Sequence, residues 1–147
     1  MNLLYISISG NTRAFVNRLH AYAADQPAKH TWSVKEIHDN SIFEAETEPF
    51  VAFVPTYLEG GNGVDNGDQE ILTETLREYI DFGDNATHCL GVIGSGNKNF
   101  NYQYCLTAKQ YAAQFDVPFL ADFELRGTNQ DIETIYSILK EVDTSAK

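Results

Sequence analysis

The stretch LLYISISGNT at residues 3–12 decides the fold class of this chain. Its first six residues are almost all apolar, which is typical of a short strand buried on both faces of a sheet. The polar SGNT that follows leads into a segment whose apolar residues recur at helical spacing, at Phe15, Leu19 and Tyr22. The sequence therefore predicts a buried strand that turns directly into an amphipathic helix.

The same alternation of apolar runs and helical patterns continues along the chain. Four further strands are predicted at residues 32–37, 50–54, 89–93 and 119–125. Helical spacing of apolar residues predicts helices within residues 71–80, 105–115 and 132–142. The connection at residues 38–49 is long enough for one crossover but holds a short helix at best. We expect the last residues, 143–147, to fray.

Strands that alternate with helices indicate a parallel sheet with right-handed crossovers. Five such strands with helices on both faces form a flavodoxin-like doubly wound α/β sheet, in the order 2-1-3-4-5. We expect one domain over residues 1–147, since this length is ordinary for a domain and 43% hydrophobic residues suffice for a core. Ligands bind such sheets at the carboxyl ends of the strands, where strand order reverses, here between strands one and three.

The loop after strand one has the composition of a phosphate-binding turn. Hydroxyl and amide groups come from Ser7, Ser9, Asn11 and Thr12, and Gly10 lets the backbone approach a ligand closely. Free N–H groups at the helix start can hold a phosphate without any Arg or Lys. The spacing matches neither GxxxxGK[ST] nor GxGxxG. A simple N-capped turn is the alternative interpretation, because N-caps also favour Ser, Asn and Thr.

Two more loops at the same end of the predicted sheet have unusual compositions. PTYLEGGNG at residues 55–63 offers Tyr57 for stacking, and it is either a functional loop or an ordinary surface loop. GSGNKNFNYQYC at residues 94–105 combines small, amide and aromatic residues, which suit a planar heterocycle, although the aromatic residues can equally pack on the next helix. One phosphate cradle and two ring-sized loops predict a phosphorylated planar cofactor, for which FMN is the economical choice.

Composition argues against several classes of partner. The chain has 10 basic and 21 acidic residues and a net charge of −11, so we expect it to bind no nucleic acid and no anionic membrane. No apolar stretch approaches the roughly 20 residues of a membrane span. Cys89 and Cys105 lack CxxC and zinc spacing, and no metal site is predicted. Because no signal-peptide pattern is present, we expect a cytoplasmic protein with reduced thiols.

Four blocks of sequence carry a resemblance to known proteins. SxSGNT at residues 7–12 resembles the flavodoxin phosphate loop. PTYLEGG at 55–61, GSGNKNF at 94–100 and FELRGT at 123–128 resemble the NrdI family, the flavodoxin-like activators of class Ib ribonucleotide reductase. The resemblance runs from Leu3 to about Leu139, and SGNxNF with FELxGT is more specific than the phosphate loop.

The resemblance implies FMN and a redox role beside the metal-binding small subunit of class Ib ribonucleotide reductase. In the family, reduced flavin converts O2 to superoxide or peroxide, which serves to assemble a dimanganese–tyrosyl radical cofactor. An external flavin or ferredoxin-type reductase is the implied electron donor. No catalytic side chain is implied, because the flavin carries the chemistry.

The resemblance also assigns the cofactor-binding residues by position. The phosphate is assigned to Ser7, Ser9, Gly10, Asn11 and Thr12. One side of the isoalloxazine is assigned to Thr56, Tyr57, Glu59, Gly60 and Gly61, and the other side to Ser95, Gly96, Asn97, Asn99 and Phe100. For FELRGT the residues themselves give only a structural interpretation, in which Gly127 and Thr128 begin the last helix and Asp131 completes a capping box.

Two other functions compete with this one. A plain flavodoxin would carry electrons between proteins, and FMN binding does not separate it from an activator, although the SGNKNF and FELRGT blocks favour the activator. A flavin-free response-regulator receiver needs a phosphoacceptor Asp at the end of strand three. This chain has Val54, Pro55 and Thr56 there, which argues against a receiver.

Overall fold

A computed structural model of the chain describes residues 1–58 and 70–146, with the backbone alone at residues 100–102. The strands are β1 (Asn2–Tyr5), β2 (Ser33–Glu36), β3 (Phe50–Pro55), β4 (Cys89–Gly96) and β5 (Phe119–Glu124). The α-helices of the described part are α1 (Asn11–Ala24), α2 (Glu74–Asp81), α3 (Leu106–Phe115) and α4 (Asn129–Ser145). Short 3-10 helices lie at Asn85–His88 and Lys98–Gln103.

The five strands form one sheet in the order β2-β1-β3-β4-β5, and each neighbouring pair is parallel. Central strand β3 is buried along its whole length. Because successive side chains point to opposite faces, Val51 and Phe53 join one core cluster, and Phe50, Ala52 and Val54 join the other. This arrangement confirms the predicted flavodoxin-like doubly wound sheet.

Each core cluster is completed by two helices. Helices α1 and α4 pack on one face of the sheet, where Phe15 and Leu19 meet Ile135 and Leu139. Helices α2 and α3 cover the other face with buried side chains that include Tyr79 and Tyr111. The predicted helices on both faces are therefore present.

Several element boundaries differ from the sequence predictions. Strand β1 ends at Tyr5 instead of Ile8, because its last pairings are with Glu36 and Phe53. Strand β4 continues to Gly96, since both neighbouring strands extend far enough to pair with it. Strand length is thus set by the neighbours as well as by local hydrophobicity.

The connection from β2 to β3, whose residues 37–49 the structure describes in full, contains no helix. This agrees with the expectation that it holds a short helix at best. Its buried residue Glu46 accepts hydrogen bonds from Tyr79 Oη and from Lys35 Nζ at 2.9 Å. The Glu46 N–H donates to Asn85 Oδ1 at 2.7 Å. These contacts fix the connection against α2 and take the place of a crossover helix.

The carboxyl-terminal helix is longer and better anchored than the sequence predicts. Helix α4 begins with the predicted capping box, in which Thr128 Oγ1 accepts from Asp131 N and Asp131 Oδ2 accepts from Thr128 N. The expectation of fraying is wrong at Asp143, whose carboxylate accepts a 3.0 Å hydrogen bond from Trp32 Nε1. No helix in the described part of the chain is long and apolar enough to cross a membrane.

Candidate functional site

A cavity of about 270 Å³ lies at the carboxyl ends of β1, β3 and β4. This is the point where strand order reverses between β1 and β3, as the sequence predicts. Eight of the predicted cofactor-binding residues line it, namely Ser9, Asn11, Thr12, Thr56, Tyr57, Ser95, Gly96 and Asn97. Loops distant in sequence therefore converge on one site.

Other predicted residues lie outside the cavity wall. Ser7, Gly10 and Asn99 do not line it within the described structure. Glu59, Gly60, Gly61 and the side chain of Phe100 lie outside the described residues. The role of all these residues in cofactor binding stays a prediction.

Five further residues line the cavity although the sequence analysis did not assign them to the cofactor: Pro55, Leu58, Ile71, Gln103 and Leu125. Four of the five are apolar, and apolar residues carry no compositional signal of ligand binding. Pro55 and Leu58 lie in the PTYLEGG block and Leu125 lies in the FELRGT block, so the family resemblance marked their segments but not their contact with the cavity.

The turn between β1 and α1 has the backbone form expected of an anion cradle. Gly10 has a φ of 92°, and a Cβ placed on it would meet no atom within 4 Å. The first N–H groups of a helix have no partner inside the helix. The backbone N–H of Arg13 donates a 3.2 Å hydrogen bond to Ser7 Oγ, so Ser7 stabilises the turn. The N–H groups of Asn11 and Thr12 belong to the same first turn and suit a phosphate.

The cation nearest to this turn in sequence is engaged elsewhere. Arg13 makes two hydrogen bonds to the Glu36 carboxylate, at 2.9 and 2.6 Å, and Tyr5 Oη donates a third at 2.8 Å. The Arg13 guanidinium holds the pKa of Glu36 below its ordinary value. Burial and the neighbouring Glu36 raise the pKa of Tyr5 to about 12. A phosphate here would rely on N–H and hydroxyl donors, as the sequence predicts.

One residue of the cavity wall has a polar atom without a hydrogen-bond partner among the described residues. Thr56 Oγ1 is buried and has no hydrogen-bond partner among the described residues. Buried polar atoms of native proteins are normally paired, and an unpaired one in a cavity wall fits a missing ligand. Ser95 is also almost fully buried, with 4% of its surface exposed. These hydroxyls and the Tyr57 ring suit a planar heterocycle with polar edges.

Backbone pairing joins the two ends of the segment at residues 59–69. Leu58 pairs with Glu70 in an antiparallel bridge, and Ile71 N donates to Tyr57 O at 3.0 Å. The Glu70 carboxylate is 6% exposed and accepts a hydrogen bond from Arg77 Nε at 2.6 Å. Cavity residues on both sides of this segment are thereby fixed to α2.

Cys105 is a buried structural residue rather than a reactive one. It is the N-cap residue of α3, as the sequence predicts for the start of that helix, and has a φ of 56°. Burial raises the pKa of its thiol to about 12. A Cβ on Gly94 would come within 3.0 Å of Cys105 Cβ, so close packing explains this glycine.

The sequence profile of the family described as "NrdI Flavodoxin like" matches residues 3–137. This chain belongs to the NrdI family. A "Putative NrdI-like protein" of Streptococcus pyogenes serotype M18 is 55% identical over 144 residues, which cover 95% of this chain and 91% of the relative. The "Protein NrdI" of Malacoplasma penetrans is 33% identical and covers 91% of this chain and 87% of its own.

Solved flavodoxin structures share the fold of this NrdI-family chain. A short-chain flavodoxin associated with a bacterial microcompartment matches with a TM-score of 0.71 and 17% identity, over 99% of this chain and 97% of its own. A Fusobacterium nucleatum flavodoxin mutant bound to flavin mononucleotide matches with a TM-score of 0.62 and 13% identity, over 98% of this chain and 95% of its own. At these identities the likeness shows the fold alone.

Proposed function

We propose that this chain binds FMN in the cavity at the ends of β1, β3 and β4. The single observation that supports the proposal best is the convergence there of the Gly10 turn, the Tyr57 ring and the buried Thr56 hydroxyl, which has no partner among the described residues. The turn suits a phosphate, and the other two suit a flat ring with polar edges. Membership in the NrdI family supports the same cofactor.

Each part of the cavity would hold a different part of FMN. Ser9, Asn11 and Thr12 would donate hydroxyl, amide and backbone hydrogen bonds to the phosphate, braced by Ser7 and Gly10. Thr56 and Tyr57 would lie on one side of the ring, and Ser95, Gly96 and Asn97 on the other. Glu59, Gly60, Gly61, Asn99 and Phe100 belong to the same proposed set. When bound and reduced, FMN would supply one electron to O2 for superoxide, or two electrons and two protons for hydrogen peroxide.

We further propose that the oxidant serves the small subunit of a class Ib ribonucleotide reductase and assembles its dimanganese–tyrosyl radical cofactor. Family membership supports this partner. An external flavin or ferredoxin-type reductase would return electrons to the flavin. We also propose that residues 1–147 form one domain and that the protein is cytoplasmic. The buried, free thiols of Cys89 and Cys105 fit that location.

Containment gives the physical reason for a dedicated partner. A small oxidant released into water dilutes and decays, so production beside its target raises the yield of the assembled cofactor. The net charge of −11 would make docking partly electrostatic and therefore weaker as salt rises.

The test mixes the reduced protein with a manganese-loaded class Ib small subunit and then admits O2. We expect a tyrosyl radical, measured by electron paramagnetic resonance, and a lower yield at high salt. An ordinary flavodoxin is the control, because it shares the fold and the cofactor. Equal radical yields from both proteins would show a generic electron carrier, and no radical with a cognate, manganese-loaded subunit would reject the activator role.

A further inference from the structure

Leu125 has a backbone conformation that leucine rarely adopts. Its φ is 54°, in the left-handed region, and the residue is 49% exposed. The residue is the first central residue of a four-residue turn at residues 124–127, which is closed by a 2.9 Å hydrogen bond from Gly127 N to Glu124 O. Turns with a positive φ at this position favour Gly, Asn or Asp. A half-exposed leucine at this position has an unfavourable backbone conformation and also fails to bury its apolar side chain in the core.

Three contacts keep this strained residue in place. The Leu125 N–H donates to Gly96 O at 3.0 Å, which ties it to the end of β4. Arg18 on α1 donates to Arg126 O at 2.9 Å and to Gly127 O at 3.2 Å. The turn is therefore fixed between β4 and α1, and both of these elements also supply residues that line the cavity.

The strained leucine lines the cavity together with Gly96 and Asn97. Backbone strain persists where the surrounding structure enforces it, and such positions cluster at ligand-binding sites. An apolar side chain half open to water gains from a flat apolar surface laid against it. The phosphate would interact with donors at the Gly10 turn, so the apolar contact suits the ring.

We propose that Leu125 is a binding residue for the ring of the cofactor, and that the turn after β5 forms an additional wall of the site. This inference rests on the proposed binding of FMN. It gives the FELRGT block a direct role in ligand binding, in addition to starting α4. Leu125 contributes an apolar face, whereas the loops after β3 and β4 contribute polar edges.

The chain offers a matched control for this role. Leu72 also has a left-handed backbone, with a φ of 69°, and is 50% exposed, but it does not line the cavity in the described structure. Asparagine tolerates the left-handed conformation, so Leu125→Asn and Leu72→Asn both keep the backbone and remove an apolar side chain. The two variants differ in whether the changed residue faces the cavity.

The experiment titrates FMN and riboflavin into the two variants and the unchanged protein, each freed of flavin. We expect Leu125→Asn to weaken both ligands about tenfold, because the lost contact is to the ring that they share. Leu72→Asn should leave both affinities within about twofold. Leu125→Met, which keeps an apolar side chain, should restore most of the affinity, and the unfolding free energy of flavin-free Leu125→Asn should not fall.

Four results overturn the inference. They are unchanged affinity in Leu125→Asn, equal losses in the Leu125 and Leu72 variants, a loss for FMN without a loss for riboflavin, and no rescue by Leu125→Met. The unchanged protein separates this failure from that of the proposed function. If it binds FMN and the variants behave otherwise than expected, only the role of Leu125 falls, whereas absence of FMN binding by the unchanged protein rejects both.

Discussion

Tyr111 Oη donates a 2.6 Å hydrogen bond to Glu70 Oε2, which joins α3 to the residue that follows the segment at 59–69. Glu70 also accepts from Thr73 Oγ1 and from Arg77 Nε, so its buried carboxylate has three donors. Since the backbone of Glu70 pairs with Leu58 in the cavity wall, this carboxylate connects the packing of two helices to the geometry of the site.

Replacement of Glu70 by Gln should lower both stability and cofactor affinity. The substitution keeps the side-chain shape but removes the charge and replaces one accepting oxygen by an NH2 group that cannot accept. We expect a loss of about 2 kcal/mol in the free energy of unfolding. Tyr111→Phe removes one donor and should cost about 1 kcal/mol. Urea denaturation of the flavin-free protein measures both. Equal stability of Glu70→Gln and the unchanged protein would show that this cluster does not anchor the wall.

Gly127 should tolerate no side chain. A Cβ there would lie 2.5 Å from Phe15 Cδ2, and the Phe15 ring cannot withdraw because it stacks on Phe123 at 3.8 Å between centroids. We expect Gly127→Ala to cost more than about 2 kcal/mol. Gly83 has a φ of 54° with no atom within 4 Å of its Cβ position, so Gly83→Ala should cost only about 1 kcal/mol. Similar losses in the two variants would contradict the close packing.

Ser9→Asp should weaken FMN and spare riboflavin. A carboxylate would face the phosphate and replace a donor with an acceptor, and loss of one charge-assisted hydrogen bond costs about 1.5–3 kcal/mol before repulsion is added. Flavin fluorescence titration gives both dissociation constants. Ser137→Asp on the exposed face of α4 adds the same charge away from the cavity and serves as control. An equal loss for riboflavin would place the phosphate elsewhere.

Acid should destabilise the protein partly through Glu46. Burial raises the pKa of this carboxyl, but hydrogen bonds from Tyr79 and Lys35 outweigh burial and hold it below the ordinary value of 4.5. A carboxyl with a lowered pKa stabilises the fold above pH 4.5, and this contribution is lost as pH falls from there toward the folded pKa.

The matched variants for this pH dependence are Glu46→Gln and Glu44→Gln. Both carboxylates contact Lys35 Nζ, but the Glu46 side chain is 5% exposed and that of Glu44 is 63% exposed. Chemical denaturation as a function of pH should show a shallower fall below pH 4.5 in Glu46→Gln alone. The same slope in Glu46→Gln and the unchanged protein would assign the acid dependence to other groups.

The sequence predicted the sheet order and the cavity position because both depend on local patterns. Buried strands appear in the sequence as short apolar runs, and the polar, glycine-containing turn at Gly10 directly follows the first of them. The hydrogen-bond cluster around Glu70 was not predictable in this way. Tyr111 lies 41 residues from Glu70 in the sequence, and nothing in the sequence distinguishes a buried glutamate from one at the surface. The position of Leu125 in the cavity wall was not predicted for a similar reason. Its unusual φ and its place in the wall depend on contacts of its turn with β4 and α1, which are distant in sequence.

A calorimetric titration of the flavin-free protein with FMN tests the central claim of a single FMN site most directly. We predict saturation at one FMN per chain, weaker binding of riboflavin because it lacks the phosphate, and release of FMN on denaturation. Absence of binding, or tighter binding of riboflavin than of FMN, would contradict the assignment of the cavity to FMN.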